Sequence, residues 1–297
     1  MALIIAQKQI KINMIYKKMF PIGCILNQTG GNMSRYKDHK DAVEVFRNVE
    51  NNPEKYFLIH YSCESFINIT DGRTPRITSI AVKSIATGQV ESFSLHKTAE
   101  QKNIPFHQIS ERYDEIETDM LNEYFAFVKD NRNMFYLHIN MRDINYGFKA
   151  IEHRGKVLKA DVFPLPDSQK IDMAVLLKKR FGDNYIGHPR MESLCALNEI
   201  KSIGYLKGAE EADAFERHEY VKLHQSTLAK VEMYTNILKR TINGSLKTKA
   251  KWYEIHGLSI QGILAFIDSK WWLKLLLWLL TTVAAGVIGF YINELLQ

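Results

Sequence analysis

Residues 56–66 read YFLIHYSCESF, and the first six of them decide how the rest of the chain is read. Tyr56, Phe57, Leu58, Ile59, His60 and Tyr61 form a run rich in aromatic and branched side chains, set off upstream by Asn51, Asn52 and Pro53. Such a run between turn-formers predicts a buried strand over 56–61, running into the polar Ser62 and Glu64.

Working outward, residues 76–85 (RITSIAVKSI) follow a turn at Asp71, Gly72, Arg73, Thr74 and Pro75 and make a second strand. Ala86, Thr87 and Gly88 turn it into a third over 90–96, so the three strands form an antiparallel meander. A helix follows over 109–128, where Ile109, Tyr113, Ile116, Met120, Tyr124 and Phe127 recur at three and four residues. Residues 134–139 (MFYLHI) read as a fourth strand and 146–152 as a short helix. Helices are predicted over 171–181 and 189–200, and a long polar helix over 208–240, part of which bridges toward the membrane rather than packing. Upstream, 41–49 reads as a short helix and 27–40 as a polar linker. Three strands, a helix, a strand and a helix predict an α/β domain, a mixed sheet covered by helices.

The C-terminal stretch WWLKLLLWLLTTVAAGVIGFYI, residues 271–292, has the roughly 20 apolar residues that a membrane-spanning helix needs. Its one charge, Lys274, lies near the start, where it can snorkel to the headgroups, and Trp271, Trp272 and Tyr291 stand at the two ends as interfacial aromatics do. Lys247, Lys249, Lys251, Lys270 and Lys274 precede or open the span, and the tail after it carries no basic residue. The positive-inside rule then predicts a single-pass protein with a cytoplasmic N-terminal domain and its C-terminus on the far side. The expected organisation is an extension and linker over 1–52, a folded domain over 53–240, a basic juxtamembrane segment over 241–270, the span over 271–293 and a tail over 294–297. Residues 1–18 are apolar for too short a run to read as a secretory signal, and an amphipathic surface helix is the alternative to a frayed end there.

Cys24, Cys63 and Cys195 are odd in number and scattered, which argues against a disulfide framework or a zinc site and fits a reducing compartment. The net charge of +6 is partly concentrated before the span, where attraction to membrane lipid accounts for it, so it is poor grounds for nucleic-acid binding. Gly286 and Gly289 permit close helix packing, and hence oligomerisation through the span.

The element order and three local motifs resemble the RNase H-like domain of the DEDD exonucleases over about residues 56–236. In that family a strand ends in Asp-x-Glu-Thr, and a later strand-end His is followed five residues on by Asp. Ser62, Cys63, Glu64 and Ser65 look like the first motif, and His138 with Asp143 keeps the spacing of the second. The resemblance implies two Mg or Mn ions held by converging carboxylates, and hence 3'-5' exonuclease chemistry. By that carry-over Glu64 and Asp143 are metal ligands, with Asp213 matching the last Asp and Glu210 and Glu211 its rivals.

Two family positions depart. Ser62 stands where the metal-bridging Asp belongs, and Gly208 stands where a general-base His should precede Asp213 by five residues. Each retained residue also has a plainer reading: Glu64 as a loop or capping carboxylate, Asp143 as a helix cap, Asp213 as an acid in a first helical turn, Cys63 and His138 as core residues. Three functions follow as expectations. The first is a membrane-tethered exonuclease-like domain with impaired catalysis, binding nucleic acid, a nucleotide or a protein partner. The second is an active metal-dependent nuclease. The third is a membrane-perturbing effector of a bacterial anti-phage (antiviral defence) system.

Overall fold

The computed structural model describes residues 35–65, 74–142, 145–201 and 203–295. The N-terminal surface helix considered above, Cys24, most of the linker, part of the turn before the second strand, and Asp143 lie outside the described residues. Helix α1 (Arg35–Asn51) begins inside the stretch read as linker and extends the short helix predicted there, because Ala42, Val45, Phe46 and Val49 give it a buried stripe.

Five strands form one mixed sheet: β1 (Tyr56–Cys63), β2 (Ile77–Ser84), β3 (Val90–Ser94), β4 (Phe135–His138) and β5 (Lys170–Asp172), in the order β3-β2-β1-β4-β5. The predicted meander is present, with β2 antiparallel to both β1 and β3. Beyond it the chain crosses over, so that β4 runs parallel to β1 and β5 parallel to β4. As the middle strand, β1 is covered on both faces, which is why its hydrophobic run is continuous rather than alternating.

Side-chain alternation along β1 assigns each face its core. Phe57, Ile59 and Tyr61 pack with Ile80, Val82 and the buried residues of α3 (Tyr113–Asp130), whereas Tyr56 and Leu58 pack with Ala81, Leu137 and Leu176 on the opposite face. The hairpin end carries α2 (Leu95–Gln101), which was not read from the sequence. The remaining helices of the domain are α4 (Phe148–Val157), α5 (Met173–Phe181), α6 (Arg190–Leu197), α7 (Gly208–Glu216) and α8 (Tyr220–Ile242). Ile171 and Asp172, expected to open the helix over 171–181, instead end β5, and Asp172 caps α5 by accepting from the Ala174 amide at 2.8 Å.

The long helix predicted over 208–240 is two helices. His218, at φ +58°, breaks it, and the turn brings Phe215 and Tyr220 into one core. Nor does α8 bridge outward: it lies across β1 and β2 with Leu223, Thr227, Val231, Tyr234 and Leu238 buried. Its hydroxyls made it look solvated, but Thr235 and Thr241 bond the carbonyls four residues back, at 2.8 and 2.7 Å, and so tolerate burial.

The segment after α8 is tied to the domain before it reaches the apolar helix. Asn198 brackets Lys247 with two bonds of 2.8 and 2.9 Å, and the Lys249 amide donates to Tyr185 O. Then come α9 (Trp252–His256), packed on α1 and α5, α10 (Ile260–Asp268), and α11 (Trp271–Leu295). Arg35 clasps this region, its guanidinium donating to the backbone oxygens of Glu254 and Lys179. Within α11, Trp271–Ile292 is long and apolar enough to cross a membrane, and none of it is buried against the protein.

Candidate functional site

The carboxyl end of β1 presents Ser62 on the face opposite Tyr61, the one covered by α8, just before the irregularity at Ser62/Cys63. Four hydroxyls and a carboxylate converge there. Ser79 and Thr227 lie 2.6 Å apart, Thr227 donates to Ser62 at 2.8 Å, and Ser62 donates to Glu211 Oε1 at 3.3 Å. One consistent orientation runs Ser79 to Thr227 to Ser62 to Glu211, each hydroxyl donating once toward the carboxylate. Ser226 adds a second donor to Glu211 Oε1 at 2.8 Å and accepts from the Leu206 amide at 3.1 Å.

The other oxygen of Glu211 is held by an internal cation. Lys230 Nζ sits 2.5 Å from Oε2, and both side chains are nearly buried. Ser226, Thr227 and Lys230 belong to consecutive turns of α8, so one helix face supplies both the hydroxyls and the ammonium. The same charge reaches His60, whose imidazole burial and Lys230 together hold well below its ordinary value. Its Nδ1 lies 3.3 Å from the Tyr146 hydroxyl, and its buried Nε2 has no partner among the described residues.

Beside this cluster, burial pushes the Cys63 thiol up to about 12, with Glu211 and Glu64 adding negative charge, which keeps this half-buried thiol protonated at neutral pH. Glu64 is buried just past β1. Its backbone amide donates to Arg76 O at 2.8 Å and its carboxylate lies 3.4 Å from the Arg76 amide, which ties it to the start of β2. That strand start is itself pinned. Glu117, wholly buried, accepts from the Ile77 amide at 2.7 Å and from Arg154 at 2.6 to 3.1 Å, while Arg154 also reaches Asp114 at 2.7 Å.

Of the carboxylates inferred from the family pattern, Glu211 is the one bonded to Ser62 among the described residues. Asp213, preferred on sequence, is exposed on α7, because a residue two positions from Glu211 points to another side of a helix. Glu210 is exposed too and caps its own helix by accepting from the Lys207 amide at 2.8 Å. Among the described residues no three His, Cys, Asp or Glu side chains are grouped to hold a metal ion. Lys230, Thr227 and His60 were missed by sequence reasoning. Thr227 and Lys230 share a helical face with Leu223 and Tyr234, where the polar members concealed a buried stripe, and His60 lies within the β1 run itself.

His138 closes β4 as a core histidine, its Nδ1 accepting from the Met141 amide at 3.2 Å and its ring edge-on to Phe148. Burial lowers it to about 4 from 6.5, with nearby Asp172 opposing the shift. A lowered histidine leaves stability intact above the unfolded value and removes it as pH falls through the folded one. Between pH 6.5 and 4 this group alone should therefore cost about 3 kcal/mol, and that part of the pH dependence should vanish in His138→Gln when unfolding is followed by urea titration.

At the apolar helix, Trp271 and Trp272 in its first turn and Tyr291 near its end are exposed. Lys274 lies 3.3 Å from Asp268, so it pairs back toward α10. No protein-family model, curated protein or solved structure matches this chain.

Proposed function

We propose that this protein is a membrane-tethered, RNase H-like domain that has given up two-metal catalysis and acts as a binding or regulatory module. The strand order β3-β2-β1-β4-β5, with β2 alone reversed, supports the fold reading. The observation that carries the functional reading is the Glu211–Lys230 pair beside Ser62. A divalent-cation site requires an excess of carboxylate oxygens. Here the bridging carboxylate is a hydroxyl, and the charge of the remaining one is already answered by an ammonium. Among the described residues Glu64 is the other carboxylate close by, and it lies 3.4 Å from the Arg76 amide that leads into β2.

The full chain in detergent, given labelled single-stranded DNA and RNA with Mg or Mn, should show no metal-dependent degradation. Degradation that is lost in Glu64→Gln would establish the active-nuclease alternative instead. The module reading further expects affinity for a nucleic-acid end, a nucleotide or a protein partner to survive EDTA.

The uncovered α11 favours the reading of Trp271–Ile292 as a membrane anchor, with the lysines before it on the cytoplasmic side and the C-terminus across the bilayer. The exposed Ile260, Ile263 and Leu264 of α10 suit the adjoining interface. The same helix supports a second reading, an antiviral effector in which copies of α11 assemble through Gly286 and Gly289 and perturb the bilayer. In that case removing residues 271–297 abolishes a cellular phenotype while the remaining domain still folds.

A further inference from the structure

An opening lies at the carboxyl ends of β4 and β5, lined by none of the hydroxyl-cluster residues. It is a pocket of about 360 Å³ whose walls are the loop after β4, one side of α5 and the start of α6. Crevices beyond the carboxyl ends of parallel strands are where α/β sheets hold ligands. This one is strongly basic: Arg35, Arg142, Lys178, Lys179 and Arg190 line it against Asp38 and Asp183.

Those two acids, with Asp172 beside Arg142, leave the five cations in excess. Asp183 is engaged by Lys178 at 2.8 Å. Arg35 and Arg190 use their guanidinium groups on backbone carbonyls, of Glu254 and Lys179 for the first and of Asp183 at 3.3 Å for the second, and a carbonyl leaves the positive charge in place. Among the described residues each also keeps a buried nitrogen without a partner, Nη2 of Arg35 and Nε of Arg190. Unpaired guanidinium nitrogen in a closed site is costly unless an acceptor arrives. Arg142 is held ready at the rim. Asn140, in the left-handed region at φ +57°, turns the chain after β4, and its side chain accepts from Arg142 at 3.1 Å while Asp172 steadies the same guanidinium at 3.3 Å.

We infer that this pocket binds a phosphate group, with Arg190 and Arg142 as its principal contacts. Forked guanidinium donors match phosphate oxygens, and the volume suits a small phosphate-bearing molecule. The inference is independent of the RNase H-like reading. Because α9 and the membrane-proximal segment flank the pocket through Arg35, the phosphate can come from a soluble ligand or from a lipid headgroup.

The test uses the full chain in phosphatidylcholine nanodiscs at low salt, titrated calorimetrically with inorganic pyrophosphate. Saturable binding is expected, weakened about tenfold or more in Arg190→Gln and also in Arg142→Gln. Arg142 is largely exposed, so its variant tests the pocket even if Arg190→Gln fails to fold. Adding phosphatidic acid to the nanodiscs separates the sources: loss of pyrophosphate binding identifies the headgroup, and its persistence identifies a soluble ligand. Absence of saturable binding in phosphatidylcholine, or binding unchanged in Arg142→Gln, overturns the proposal.

Discussion

Arg154→Met is expected to destabilise the fold by about 3–5 kcal/mol, measured by urea unfolding of the full chain in detergent. The reason is the partner it abandons. Glu117 has no exposed surface, and burial raises its pKa even with Arg154 hydrogen-bonded to it. Without the guanidinium, the carboxylate keeps only the Ile77 amide and must take up a proton or remain charged in the core. An acid whose folded pKa is raised above the unfolded value contributes stability that is greatest at low pH and is lost as pH rises through the folded value. The deficit in Arg154→Met should therefore be smaller at pH 5 than at pH 8. The double change Arg154→Met with Glu117→Met should recover part of the loss, since an apolar pair can replace a buried ion pair. A single-variant cost below about 1 kcal/mol would show that the pair is not holding the start of β2.

The second large effect concerns the site. Lys230→Met should cost about 3 kcal/mol, because Glu211 would retain its hydroxyl donors but lose its counter-charge. The same substitution tests the proposed loss of the metal site. Combined with Ser62→Asp, it replaces one ammonium and one hydroxyl by a net gain of negative charge at the end of β1, next to Glu64. That double variant should bind Mn in a calorimetric titration where the parent chain does not. Equal Mn binding by both chains would mean that Lys230 is no substitute for a metal, and the proposed loss of catalysis would fall with it.

The sequence carried the fold more fully than the site. β1, β2 and β4 were legible because hydrophobic runs between turn-formers have few other solutions. β5 was not, since three residues running straight into α5 leave no periodicity of their own. The misreading of α8 has a different cause: threonine and serine count as polar, yet each can satisfy its hydroxyl within the helix and be buried. The site was half legible. Ser62 and Glu64 follow from the end of β1, but choosing among Glu210, Glu211 and Asp213 requires the rotational phase of α7, which its break at His218 and its packing determine. Lys230 could not be chosen at all without knowing that α8 lies on the sheet.

The clasp made by Arg35 has a mechanical consequence. It joins the beginning of α1, the end of α5 and the segment leading to α11 at one pole of the domain. Tension on the apolar helix would thus be delivered to two helices lying against the sheet, and the strands that carry Ser62 and its hydroxyl chain would be sheltered from it. The first thing to give under load would be a pair of side-chain-to-carbonyl bonds, after which the Asn198 bonds to Lys247 would carry the pull, so that α8 would feel it last.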